Sequence, residues 1–186
     1  MEEIEHRSKT ITFKVISGTV EACSKFASSS VSANSSGVSS KTVWIQEFWI
    51  KDGEGIEYPL KLTDSDLPLR TGQSVAVLLA RLKGRDGDLP VGMINYSAKM
   101  YWNLKKGADV NNYFRIDVVT GLSIIPALLI LAFVGLYNES WMLGLSCALA
   151  FLIFRSATKG VRVARLVERL DAAINNAMKS LGGASV

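Results

Sequence analysis

The chain has 186 residues, a formal net charge of +4 and 48% hydrophobic residues, enough for one soluble domain plus a membrane element. Two cysteines, one inside an apolar run, and a single histidine leave no disulfide framework, no His-based catalytic triad and no multi-histidine metal site. The charge is uneven: residues 1–110 hold 14 Lys+Arg against 13 Asp+Glu, while six basic residues from Arg155 onward face only Glu168 and Asp171.

Residues 1–9 begin Met1-Glu2-Glu3-Ile4-Glu5, acidic and with no apolar stretch behind. This is not the basic start and apolar core of a signal peptide, and the segment reads as a disordered N-terminus. Residues 10–104 read as a β-rich domain. Ile11, Phe13 and Val15 alternate with Thr12 and Lys14, as Ile56, Tyr58, Leu60 and Leu62 alternate with polar neighbours. Thr42–Ile50 and Val75–Ala80 are apolar on both faces, as doubly covered strands are. Asp52-Gly53-Glu54-Gly55 and Arg85-Asp86-Gly87-Asp88 supply turns, and their paired acids lack the ligand order of a calcium loop. Short strands at this spacing predict a small antiparallel β-barrel or sandwich of SH3-like or OB-like size.

Within that domain, residues 24–40 are serine-rich and predict a flexible loop. Trp44, Phe48, Trp49 and Tyr58 concentrate aromatics on adjacent strands, where a core role outweighs a binding platform. The near-neutral charge of the domain argues against a nucleic-acid partner.

Residues 105–117 predict a linker lying along a membrane surface. Lys105, Lys106 and Arg115 are accompanied there by Tyr101, Trp102, Tyr113 and Phe114, an aromatic and basic mixture suited to headgroup depth. Residues 118–154 then predict a two-helix transmembrane hairpin. Val118–Leu136 holds no charge, Trp141–Phe154 follows after four residues, and a bilayer core needs about 20 apolar residues. Pro126 predicts a kink in the first span. Ser140, Gly144 and Ala148 put small residues on one face of the second, for packing inside the hairpin or for oligomerisation.

Residues 155–186 predict a separate basic amphipathic helix and tail, turning away from the span at Gly160. Val163, Val167, Leu170, Ile174, Ala177 and Leu181 form its apolar stripe, fitted to the interface or to copies of itself. Arg155, Lys159, Arg162, Arg165 and Arg169 supply the charge. Together with Lys105, Lys106 and Arg115 they flank the spans on one side, while the connecting loop has no Lys or Arg, so both termini are expected in the cytoplasm.

The expected function is non-enzymatic: a membrane-anchored binding, sensing or adaptor protein at a bacterial inner membrane, with anionic lipids and an unidentified protein as partners, and no cofactor. A homo-oligomeric pore or transporter subunit gated by the β domain is the alternative, weakened by the few polar residues (Thr120, Ser123, Ser146) within the spans. An enzyme on a lipid-linked substrate is the least supported reading, since the domain offers only carboxylates, lysines and tyrosines as acid–base groups.

Overall fold

The computed structural model describes residues 3–34, 37–63, 66–117, 124–137 and 140–183. Seven strands come first: β1 (Glu3–His6), β2 (Lys9–Asn34), β3 (Gly37–Lys51), β4 (Glu57–Thr63), β5 (Ser74–Leu82), β6 (Asp88–Asn95) and β7 (Met100–Asn103). Three helices follow: α1 (Gly107–Phe114), α2 (Ile124–Tyr137) and α3 (Trp141–Gly183). By Cα proximity they form two compact units, one of Met1–Lys106 with Asp171–Val186 and one of Gly107–Leu170.

All strands belong to one antiparallel sheet in the order β4-β3-β2-β5-β6-β7, with β1 added beside the start of β2. The sheet is not closed, so the expected barrel or sandwich is corrected to a single open sheet. Its curl nonetheless brings Tyr58 and Leu60 of β4 to the same small cavity, about 360 Å³, as Leu79 of β5 and Pro90 of β6. Pro59 and Pro90 line this seam, and proline has no amide hydrogen to extend a ladder.

Both faces of the sheet are covered around β5, whose residues 75–80 are all buried. Ile16, Val20, Phe48, Ile50, Leu62, Val75, Val77, Leu79 and Met93 form the core of one face. The opposite face holds Ile11, Phe13, Ala76, Leu78 and Ala80, and there Met178 of α3 sits against Gly92 of β6. A Cβ at Gly92 would overlap the Met178 sulfur, so glycine is what admits the helix. The β-rich region therefore includes the last turns of α3, a boundary that residues 10–104 alone do not capture.

The first nine residues are not uniformly irregular, because β1 pairs Ile4 with Ile11 and buries it. The serine-rich stretch also departs from expectation. It is strand, pairing continuously from Ala22↔Trp49 to Asn34↔Gly37, while residues 35 and 36 lie outside the described residues. A bulge between Val20 and Ala22 moves the inward side chains from Ile16 and Val20 to Cys23. Beyond it β2 pairs with β3 alone, and from Ala27 onward, past the end of the β3–β4 pairing, the two form a two-stranded ribbon; the side chains from Ser24 to Ser29 are exposed. A ribbon wet on both faces needs no apolar alternation, which is why serine composition failed to signal a strand.

Gln46 is buried on β3, and the sequence did not single it out. Its amide accepts from Leu67 N–H at 3.0 Å and donates to the Leu67 carbonyl at 2.9 Å, holding the segment before β5 over the core. In the turn after β3, the Asp52 carboxylate accepts from the Glu54 and Ile56 amides, both at 2.9 Å, and from the Tyr58 hydroxyl at 3.1 Å.

The expected linker over 105–117 contains α1, which buries Gly107, Val110, Asn111 and Phe114 at helical spacing. Among the described residues one helix, over Trp141–Gly182, is long and apolar enough to cross a membrane, where two were expected. The described part of α2 has 14 residues; residues 118–123, with Thr120 and Ser123, and Asn138 and Glu139 lie outside the described residues. Pro126 falls in the first described turn of α2. The apolar run and the basic helix are not separate elements either. α3 continues through Gly160 for 43 residues, because glycine alone in a helix interior costs only about 1 kcal/mol.

Candidate functional site

The helical unit packs with the opposite size rule from the sheet. In α2 only Ala127 and Gly135 are buried, and in the first part of α3 the buried positions are Gly144 and Ala148. The large apolar side chains point outward: Leu129, Phe133, Leu136, Met142, Ile153 and Phe154 are each at least 66% exposed. Gly144 packs on α2 so closely that a Cβ would lie 2.6 Å from the Leu131 carbonyl oxygen and 3.0 Å from the Gly135 nitrogen. Gly135 in turn lies against the Trp141 ring. Small residues in the contact and large ones outside are the pattern of helices packed in lipid, where tails are as apolar as leucine and close backbone approach supplies the attraction. The Ser140–Gly144–Ala148 stripe thus serves packing within the hairpin, with Ser140 half-buried and its carbonyl accepting from Gly144 N–H. Ser146, the polar side chain of this segment, returns its hydroxyl hydrogen to the Met142 carbonyl at 2.9 Å.

Next to the apolar segments sits a polar knot. The Asp117 side chain is only 1% exposed and receives the Arg162 guanidinium through both Nε and Nη2, the latter at 3.0 Å from Oδ1. Asn111 fixes the Asp117 backbone from both sides, its Oδ1 accepting from the amide at 2.9 Å and its Nδ2 donating to the carbonyl at 3.3 Å. Among the described residues no buried side-chain nitrogen or oxygen lacks a partner. A forked, two-bond pair is the geometry in which a buried carboxylate can stay charged. Arg162 therefore does not join a free basic face, as its sequence position suggested. It lies one turn from the buried Leu166, at the border of the stripe, and its partner comes 45 residues earlier in the chain.

The remaining basic residues divide by exposure. Lys106, Arg115, Arg155, Arg165 and Arg169 are exposed, while Lys105 and Lys159 are half-buried. On α3, Arg155, Lys159, Arg165 and Arg169 occupy one side of the helix at 100° per residue. The apolar stripe is displaced from its expected position: Leu166, Leu170, Ala173, Ile174 and Met178 are buried, while Val163, Val167 and Leu181 are half-buried. Leu170 and Ile174 are already covered within the chain, so they are not free to zip against a copy. Leu166, Ala173 and Met178 were legible as the neighbours that widen a stripe into a core-facing band.

The aromatic group on the sheet also splits. Phe48 is fully buried and Tyr58 half-buried, but Trp44 and Trp49 are 52% and 43% exposed, against the expected core role. Lys25 lies 5.1 Å from the Trp44 ring centroid and pairs with Asp66 at 2.7 Å. Phe26, exposed on the neighbouring strand, has Lys61 over its ring at 5.9 Å. Of the aromatics expected at headgroup depth, Tyr101 and Tyr113 are exposed, Trp102 leans on the sheet core and Phe114 is buried. Among the described residues no group of three metal-ligating side chains converges. No family model, curated protein or solved structure matches the chain.

Proposed function

We propose that the chain is a membrane-anchored, non-enzymatic binding or adaptor protein, with α2 and the apolar part of α3 inserted as a hairpin and the sheet displayed at the cytoplasmic face of a bacterial inner membrane. The observation that carries this reading is the reversed packing of the hairpin, with Ala127, Gly135, Gly144 and Ala148 inside and Leu129, Phe133, Met142 and Phe154 outside. In water a contiguous apolar surface of this kind is an aggregation liability; in lipid it is the stable arrangement. Arg155, Arg165 and Arg169 follow the apolar segment and set the cytoplasmic side, at about 1 kcal/mol of attraction to anionic headgroups for each residue near the surface. The β2–β3 ribbon, with unpaired strand edges and the exposed Phe26 and Trp44, is the surface suited to a protein partner.

The test is membrane extraction of the full chain. It should stay in the pellet through alkaline carbonate and leave it only with detergent. Release by carbonate would overturn the anchor. A periplasmic reporter fused after Val186 should be inactive and a cytoplasmic one active; the reverse would overturn the orientation.

A further inference from the structure

A cavity of about 730 Å³ lies wholly within the β unit, between the β6–β7 hairpin and the last turns of α3. This falls within the roughly 300–1,000 Å³ of small-molecule sites. Its composition is layered. Ile94 and Met178, each 7% exposed, form an apolar floor, and Met100 continues it outward. Lys99 from the hairpin and Lys179 from the helix stand exposed at the rim, with Tyr96 and Tyr101 beside them. None of the lining residues is acidic, and neither lysine forms an ion pair among the described residues. Asn95 at the inner wall is already satisfied, donating to Gln73 and accepting from the Ala98 amide, so the floor makes no polar demand on an occupant.

We infer that this cavity binds a small anionic amphiphile, one phosphate or carboxylate head carried on an unbranched apolar tail. The tail lies on Ile94 and Met178, and the head sits between Lys99 and Lys179. A cation on each of two opposing walls holds an anion where one exposed lysine would not, and methionine side chains adapt to a flexible chain better than branched ones do. The site is independent of the membrane reading, since every lining residue belongs to the β unit.

The experiment uses the full chain in phosphatidylcholine nanodiscs with ¹³C-methyl-labelled methionine, titrated with octyl phosphate. Met100 and Met178 methyl signals should shift saturably while Met93, in the sheet core, and Met142, on the hairpin, stay in place. The K99Q/K179Q double variant should bind about tenfold more weakly, and Gly182→Phe, which projects into the cavity, should abolish the shifts with the Met93 signal unchanged. Octanol and inorganic phosphate should each bind far more weakly than the joined molecule. Shifts seen with phosphatidylglycerol nanodiscs and no added ligand identify a bilayer lipid as the source; shifts seen only with octyl phosphate identify a soluble one. The inference is overturned if Met100 and Met178 do not respond to either source, if octanol or inorganic phosphate alone matches octyl phosphate, or if the lysine variant binds as the parent does.

Discussion

The β unit and the helical unit obey opposite rules of size. In the sheet, Phe48, Ile50, Leu78, Leu79 and Met93 are at most 1% exposed. In the hairpin, Ala127, Gly135, Gly144 and Ala148 are inside and Leu129, Phe133, Leu136 and Phe154 outside. One chain thus carries two packing solutions, which under the proposed membrane reading correspond to two solvents. Water drives large apolar groups inward because about 25 cal/mol is gained for each Å² removed from it; lipid gives no such drive and leaves backbone proximity to hold helices together.

The sharpest test of that contrast is a pair of phenylalanines. Phe48→Ala should cost about 3–5 kcal/mol in the denaturant stability of the β unit, by lost transfer energy and a residual cavity. Phe133→Ala in the full chain in lipid should leave thermal stability almost unchanged. An equal loss at both positions would show that the helical unit is packed like a soluble core. Arg162→Ala should be severe, about 3 kcal/mol, because it removes two guanidinium hydrogen bonds from the buried Asp117 carboxylate. Adding Asp117→Asn should recover much of that loss, which separates the cost of a buried charge from simple loss of packing. Gly144→Val should cost about 1–3 kcal/mol by forcing the valine against the Leu131 carbonyl, read as earlier opening of the hairpin on heating in detergent.

The boundary between the units gives a further test. Residues 1–106 alone leave Gly92 and Ile94 without the α3 cover, and should be less stable than the same fragment joined by a flexible linker to residues 171–186. Equal stability would place the last turns of α3 outside the β unit. The smallest effect belongs to Asp52. The Ile56 amide, then the Glu54 amide and the Tyr58 hydroxyl, hold its carboxyl below the ordinary 3.8. A folded pKa lower than the unfolded one contributes stability that is present above pH 3.8 and is lost as pH falls through the folded value. Asp52→Ala should therefore lower stability slightly at neutral pH, flatten the acid limb of the stability–pH curve, and converge with the parent below the folded value.

How much of this was legible varies with the range of the interaction that decides it. The alternation of Ile11, Phe13 and Val15, the two-faced apolar run at Val75–Ala80 and the turn at Asp52-Gly53 are local signals, and each corresponds to what the sheet contains. The strand at residues 24–34 was not legible because its strand character rests on backbone pairing, and the exposed side chains from Ser24 to Ser29 set no apolar period. Trp44 and Trp49 were misplaced for a related reason: a strand apolar on both faces does not say which face is covered. Among the candidate site residues, Gly144 and Ala148 sit where their spacing put them, in the helix contact.

What the sequence by itself determined is the succession of a strand-rich part, a charge-free helical part and a basic end, because alternation, apolar run length and charge count are properties of neighbouring residues. The tertiary structure alone decided that the sheet stays open, that α3 runs unbroken from the apolar segment into the β unit, and that Arg162 belongs to Asp117. Each of these depends on residues far apart in the chain meeting at contact distance. Spacing along the sequence carries no trace of such meetings, and burial makes their outcome binding, since a carboxylate or a glycine in a close contact tolerates only the partner it has.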